Sequence, residues 1–128
     1  MSVKIPASNV RIKRAYEVPS PEDGERILID RLWPRGLKKE ALQLTEWNKE
    51  LSPSTELRHW FNHQHELWPE FRRRYAAELT EHADQFNALR ERARKGVITL
   101  VYSARDETVN NAVALRDYLL SPTGLNVQ

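Results

Sequence analysis

A chain of 128 residues, 40% hydrophobic and 30% charged, is the size of one domain and can bury a real core. The absence of cysteine excludes disulfides, thiolate nucleophiles and cysteine metal sites and suits a reducing cytoplasm, and no apolar run reaches the length of a signal peptide or a membrane span. Twenty Lys/Arg against 18 Asp/Glu give a net charge of +2, too balanced to indicate nucleic acid on charge alone, although the basic excess lies in the first third of the chain.

Residues 1–9 read as a flexible N-terminal tail. "VRIKRAY" (10–16) alternates apolar and basic residues, the pattern of a half-exposed strand. "EVPSPEDGE" (17–25) is turn material, with one helical turn begun at Ser20-Pro21. "RILID" (26–30) is nearly continuous aliphatic and reads as a central strand. Leu37, Ala41, Leu44, Trp47 and Leu51 fall on one face of an amphipathic helix. A second helix starts at "SPSTELRHWF", with Ser52 as N-cap and Pro53 at the first helical position, and ends near Asn62. Trp68, Phe71, Tyr75, Leu79, Phe86, Leu89 and Ala93 form one stripe along a long third helix, closed at Lys95-Gly96. "VITLVY" (97–102) is a third buried strand. A last helix carries Val109, Ala112, Val113, Arg116 and Leu119 on one face, stops at Ser121-Pro122, and leaves 121–128 as a tail. The four tryptophans are expected to dominate the core, except Trp33, which stands in a loop.

Strand, helices, strand, helix over residues 10–120 specifies a single α/β domain: a small, mainly parallel sheet of about three strands flanked by helices. Ligands of such sheets bind beyond the carboxyl ends of the strands. Two charged clusters stand there, "DRLWPRG" (30–36) and "YSARDETVNNA" (102–112). Arg31, Arg35 and Arg105 are forked donors suited to phosphate or carboxylate. Pro34 and Gly36 stiffen the first loop and admit a ligand to its backbone. Trp33 is placed to stack on a ring or a guanidinium. Asp30 or Asp106 would be the general acid or base if chemistry occurs. Ser103 and Asp106 have the spacing of a capping box, and Asn110, one turn further on, could reach back to the pocket. The competing explanation is a structural network in which Asp30 pairs with Arg31, Arg35 or Arg105.

His59, His63 and His65 form H-x₃-H-x-H, but no acid follows the first histidine and no further ligand is evident, so no metal site is assigned. "RRRY" (72–75) reads as a solvated face with intrahelical pairs. There is no Ser/His/Asp triad, P-loop or dinucleotide fingerprint, and no cofactor is expected. The first reading is therefore an enzyme or sensor domain with an arginine-rich site for a small, phosphate-type anion. The alternative is a non-catalytic interaction module whose "VRIKR" strand and arginine loop grip nucleic acid or an acidic protein. Neither reading involves a membrane, and both leave the oligomeric state open.

The motifs "IKRAY", "DRLWPRG", "W-x₅-PSTELRHWFNH", "F-x₂-RY-x₂-EL" and "TLVYSARD-x₃-NNAV" follow one another over about residues 10–120. In this the chain resembles the YeaO-like branch of the domain-of-unknown-function 488 family. The resemblance implies a small bacterial cytoplasmic α/β protein and brings no activity with it. Its motif positions include Arg14, Asp30, Arg31, Trp33, Arg35, Ser54, Trp60, His63, Arg74, Arg105, Asp106 and Asn110. Similar chains often carry His where this one has Asn111, and broader relatives carry cysteines after the last strand, where this one has Ser103. Thiol chemistry therefore does not transfer.

Overall fold

The computed structural model describes residues 4–125; the outer parts of the two expected tails, 1–3 and 126–128, lie outside the described residues. Four parallel strands form one sheet in the order β1-β4-β2-β3: β1 Val10–Arg14, β2 Glu25–Leu28, β3 Glu46–Trp47 and β4 Ile98–Tyr102. Five α-helices accompany them: α1 Lys39–Leu42, α2 Thr55–Phe61, α3 Trp68–Thr80, α4 Ala83–Lys95 and α5 Asn111–Leu120. None is long and apolar enough to cross a membrane.

β4 lies between two strands and all five of its residues are buried. Its alternation feeds two unequal cores. Ile98, Leu100 and Tyr102 join Ile27, Ile29, Phe71, Tyr75, Phe86 and Leu115 in the main cluster, which the longer helices cover. Val101 points to the other face, where it meets only Ala15, Leu28 and Leu42, with Trp33, Leu37, Leu44 and Trp47 packed around them. That second face also holds charge. Asp23 is fully buried and its carboxylate accepts from Arg26 at 2.7 Å and from Lys13 at 3.2 Å. Burial pushes the Asp23 carboxyl up, but the Ser20 amide and the Lys13 and Arg26 side chains outweigh it and hold it below its ordinary range. Gly24 follows at φ +62°, and a Cβ there would stand 2.1 Å from the Val97 carbonyl oxygen, so only glycine fits between "PED" and β2.

Four local expectations need correction. The amphipathic spacing from Leu37 to Leu51 does not make one helix: Gln43 turns left-handed (φ 47°) after a single turn, and Trp47 enters the sheet beside Leu28 as a fourth strand. The N-cap of α2 is Ser54, not Ser52; its hydroxyl accepts from the Leu57 amide at 3.0 Å. The long stripe from Trp68 to Ala93 is two helices, broken at Glu81-His82, because Leu79 and Phe86 can both stay buried across the bend. No tryptophan is fully buried. Trp33 and Trp47 lie at the edge, donating their indole N–H groups to the Leu37 and Asp30 carbonyls, each at 2.6 Å. Trp60 and Trp68 are capped by the guanidiniums of Arg74 and Arg72. An amphipathic ring with one polar atom settles more readily at a rim than in a dry centre. The centre is filled instead by Tyr75, Tyr102, Phe86 and aliphatic side chains.

Candidate functional site

The ladder between β2 and β4 runs one step past the regular strand, where the Ile29 amide donates to the Val101 carbonyl at 3.1 Å. The two strands then part, β2 towards the loop before α1 and β4 towards the connection to α5. The gap at their carboxyl ends is a cavity of about 680 Å³. Its wall is assembled from three places in the sequence. Asp30 comes from the end of β2. Ser103, Ala104, Arg105, Asp106, Val109, Asn110 and Asn111 come from the β4–α5 connection. Pro53, Arg58, His59, Phe61, Asn62, His63 and Phe71 come from α2, its flanks and α3.

Asp30 is 5% exposed and lies beneath the β4–α5 connection. The Ser103 amide and hydroxyl both donate to its Oδ2, at 2.8 and 3.0 Å, and Asn111 Nδ2 donates to Oδ1 at 3.3 Å. The same Asn111 nitrogen holds the Ile29 carbonyl at 2.7 Å, which pins the start of α5 to the end of β2. The Ser103 hydroxyl thus faces a carboxylate and no imidazole, and among the described residues nothing is arranged to activate it as a nucleophile.

Asp106 does not form the expected capping box with Ser103. Its Oδ1 accepts from the Thr108 and Val109 amides and the Thr108 hydroxyl, and Oδ2 meets His65 Nε2 at 2.5 Å. The two backbone amides, then the hydroxyl and the imidazole, hold its carboxyl well below the usual range, against a small opposing effect of burial. A carboxylate so engaged is a poor proton carrier. The N-cap of α5 is Asn110, whose Oδ1 accepts from the Val113 amide at 2.9 Å while its Nδ2 donates to the Asp106 carbonyl at 2.8 Å.

Of the residues singled out in sequence, Asp30, Arg105, Asp106 and Asn110 come together around this cavity, and Arg31, Trp33 and Arg35 do not line it. Arg31 donates from Nε to the Pro53 carbonyl at 3.1 Å and from Nη2 to the Ser52 carbonyl at 3.4 Å, so it ties the loop to the start of α2. Trp33 and Leu37 pack on the second cluster and draw "LWPRG" to the other face of the sheet. Arg35 is exposed, and its carbonyl accepts from the Tyr16 hydroxyl at 2.8 Å. Gly36 sits at φ +81° with open space where a Cβ would go, so the turn, not a ligand, requires it. The ion pairs expected between Asp30 and an arginine are absent among the described residues.

Arg58, His59 and His63 are lining residues that the motif reading did not place here. The signal was present in "RHWFNH": Leu57 and Phe61 take the buried face of α2, which leaves the polar residues between them for its rim and end. Asn62 and His63 both have positive φ, 45° and 57°. Two consecutive non-glycine residues in that region are costly, and such conformations gather at functional sites.

The guanidiniums complete the description. Nearly every arginine is engaged with a carboxylate, a carbonyl or an aromatic ring. Among the described residues Arg35, Arg58 and Arg105 have no hydrogen-bond, ion-pair or ring partner for the side chain, and two of those three line the cavity. The lining thus combines two free cations, a buried carboxylate and a partly apolar wall of Phe61, Phe71, Ala104 and Val109.

Residues 9–125 match the family model described as "Inactive DUF488-N3 subclade". The chain is 47% identical over 113 residues to uncharacterized protein YeaO of Escherichia coli (strain K12), covering 88% of this chain and 98% of that one. It is 38% identical over 112 residues to uncharacterized protein Rv3073c of Mycobacterium tuberculosis (strain ATCC 25618 / H37Rv), covering 88% of this chain and 94% of that one. No solved structure matches. A cysteine-free α/β chain whose DRLWPRG and YSARD loops leave adjacent parallel strands, and whose sequence matches over nearly its whole length, belongs to the DUF488 family, in its YeaO-like branch.

Proposed function

We propose that this protein is a non-catalytic receptor for a small anionic molecule, bound in the cavity at the carboxyl ends of β2 and β4. The observation that carries the reading is the pair Arg58 and Arg105: two guanidiniums with no partner of their own, drawn from different elements, on one wall system. Like charges left free around a cavity await an anion, and arginine is the residue whose fork matches phosphate or carboxylate. Two of the side chains that could do chemistry are otherwise engaged, Asp106 in its turn and Ser103 on Asp30. The description of the family model as inactive agrees with binding rather than turnover.

Melting the wild-type protein in rising phosphate, and in a phosphomonoester, tests the reading. The melting temperature should climb with concentration, by the equivalent of about 2.7 kcal/mol at one hundred times Kd. Arg58→Met and Arg105→Met should each fold with wild-type stability, since neither loses a partner. Each should weaken binding by roughly tenfold or more, the worth of a charged hydrogen bond. No response of the wild type to either anion would overturn the proposal.

A further inference from the structure

The floor of the same cavity holds a carboxylate with no ion-pair partner among the described residues, that of Asp30, although only 5% of the residue is exposed. An ionised carboxylate offers about four acceptor positions. Three donors meet Asp30, two of them on Oδ2, so the open position is on Oδ1. Beside it stands Asn111, 8% exposed, with Nδ2 occupied by the Ile29 carbonyl and Asp30 and, among the described residues, with no donor on its own Oδ1. Both residues line the cavity. Its floor therefore offers acceptors while the arginines offer donors. The donors that Asp30 meets, the Ser103 amide and hydroxyl and the Asn111 amide, are all neutral, and a cation is what such a site lacks.

Resting on the anion reading above, the geometry points to a ligand with two ends: a protonated amine seated on Asp30 Oδ1 and Asn111 Oδ1, and an anionic group held by Arg58 and Arg105. An ammonium brings three donors and one positive charge, which suits two adjacent oxygens, one of them ionised. At about 680 Å³ the cavity is far larger than an inorganic anion needs and has room for both ends and the chain between them. The ligand class is thus a zwitterionic small molecule, such as an aminoalkyl phosphate, rather than a simple anion.

Calorimetry on the intact chain with O-phosphoethanolamine, glycerol 3-phosphate and orthophosphate separates the possibilities. The amine compound should bind the wild type at least about tenfold more tightly than glycerol 3-phosphate, the margin of a charge-assisted hydrogen bond. Asp30→Asn should erase that preference between the two compounds; Arg105→Met should weaken both together. If Asp30→Asn does not fold, the wild-type ranking decides alone. Equal affinity for the two compounds, or tighter binding of glycerol 3-phosphate, would overturn the amine subsite and leave the anion reading standing. Failure of all three to bind would overturn both.

Discussion

Asp106, a candidate acid or base in sequence, is tied into its own loop in the structure. Its two oxygens satisfy two backbone amides, a hydroxyl and an imidazole, and so shape the loop that carries Arg105. The sign of its contribution follows from its lowered pKa. A carboxyl held low in the folded state stabilises fully above the ordinary value of about 3.9, and that stability is lost as pH falls through the folded value. Asp106→Ala should therefore cost about 1 kcal/mol at neutral pH, the typical net loss when a side chain that holds backbone amides is removed. The gap between wild type and variant in urea midpoint should then narrow on acidification below about pH 4. A gap that stays constant to pH 2 would refute this account. His65 adds little, because its side chain is 63% exposed and its pairing is screened.

At the level of elements, the C-terminus of α2 is where stability and site pull apart. Asn62 ends the helix in the left-handed region, which asparagine tolerates, and His63 repeats that conformation at the cavity wall. Glycine would adopt the same φ without strain. His63→Gly should leave the melting temperature unchanged or raise it, by no more than about 1 kcal/mol in stability, while weakening ligand binding. Destabilisation beyond about 1 kcal/mol, measured by denaturant titration, would show that His63 is held for packing and not for the site. The elements legible in the sequence were those with a one-sided code. "RILID" and "VITLVY" are largely aliphatic and fall on the buried strands; "VRIKR" alternates and became the partly exposed β1. What was illegible had an ambiguous code. Trp47 fits a helical stripe as well as a strand, and two residues of β3 are too few to reveal a period of two. The break between α3 and α4 leaves the apolar spacing intact, so periodicity alone could not place it.

Across the whole molecule, the sheet has one thick side and one thin side. Helices α2 to α5 cover the main core, whereas the second face has a single turn of helix, a short strand and a loop. Stability should follow that asymmetry. Amides of β4, bonded on both sides and buried throughout, should exchange hydrogen most slowly, and those of residues 39–47 should open first. Exchange mass spectrometry finding the reverse order would contradict this. The place of the cavity was legible because the carboxyl ends of neighbouring parallel strands open a gap, and Asp30, Arg105, Asp106 and Asn110 all line it. Its cationic partner was not. Whether Arg58 reaches the cavity depends on how α2 crosses the sheet, and whether Arg35 does depends on Trp33 docking on the far face. No local pattern encodes either.

The strand order has a consequence for how the protein is made. β1 and β2 are the first strands to be synthesised, yet they do not touch; each pairs with β4, the last. Seventy-four residues separate the end of β2 at Leu28 from the end of β4 at Tyr102, an interval of roughly 4–15 s at ordinary translation speeds. During that time the nascent chain carries two strands whose common partner does not yet exist. The helices between them can form, but the sheet can close only when Ile98–Tyr102 emerges and slides between β1 and β2. Until then both strands present open edges to any neighbour, which makes the unfinished chain a natural client for chaperones at the ribosome.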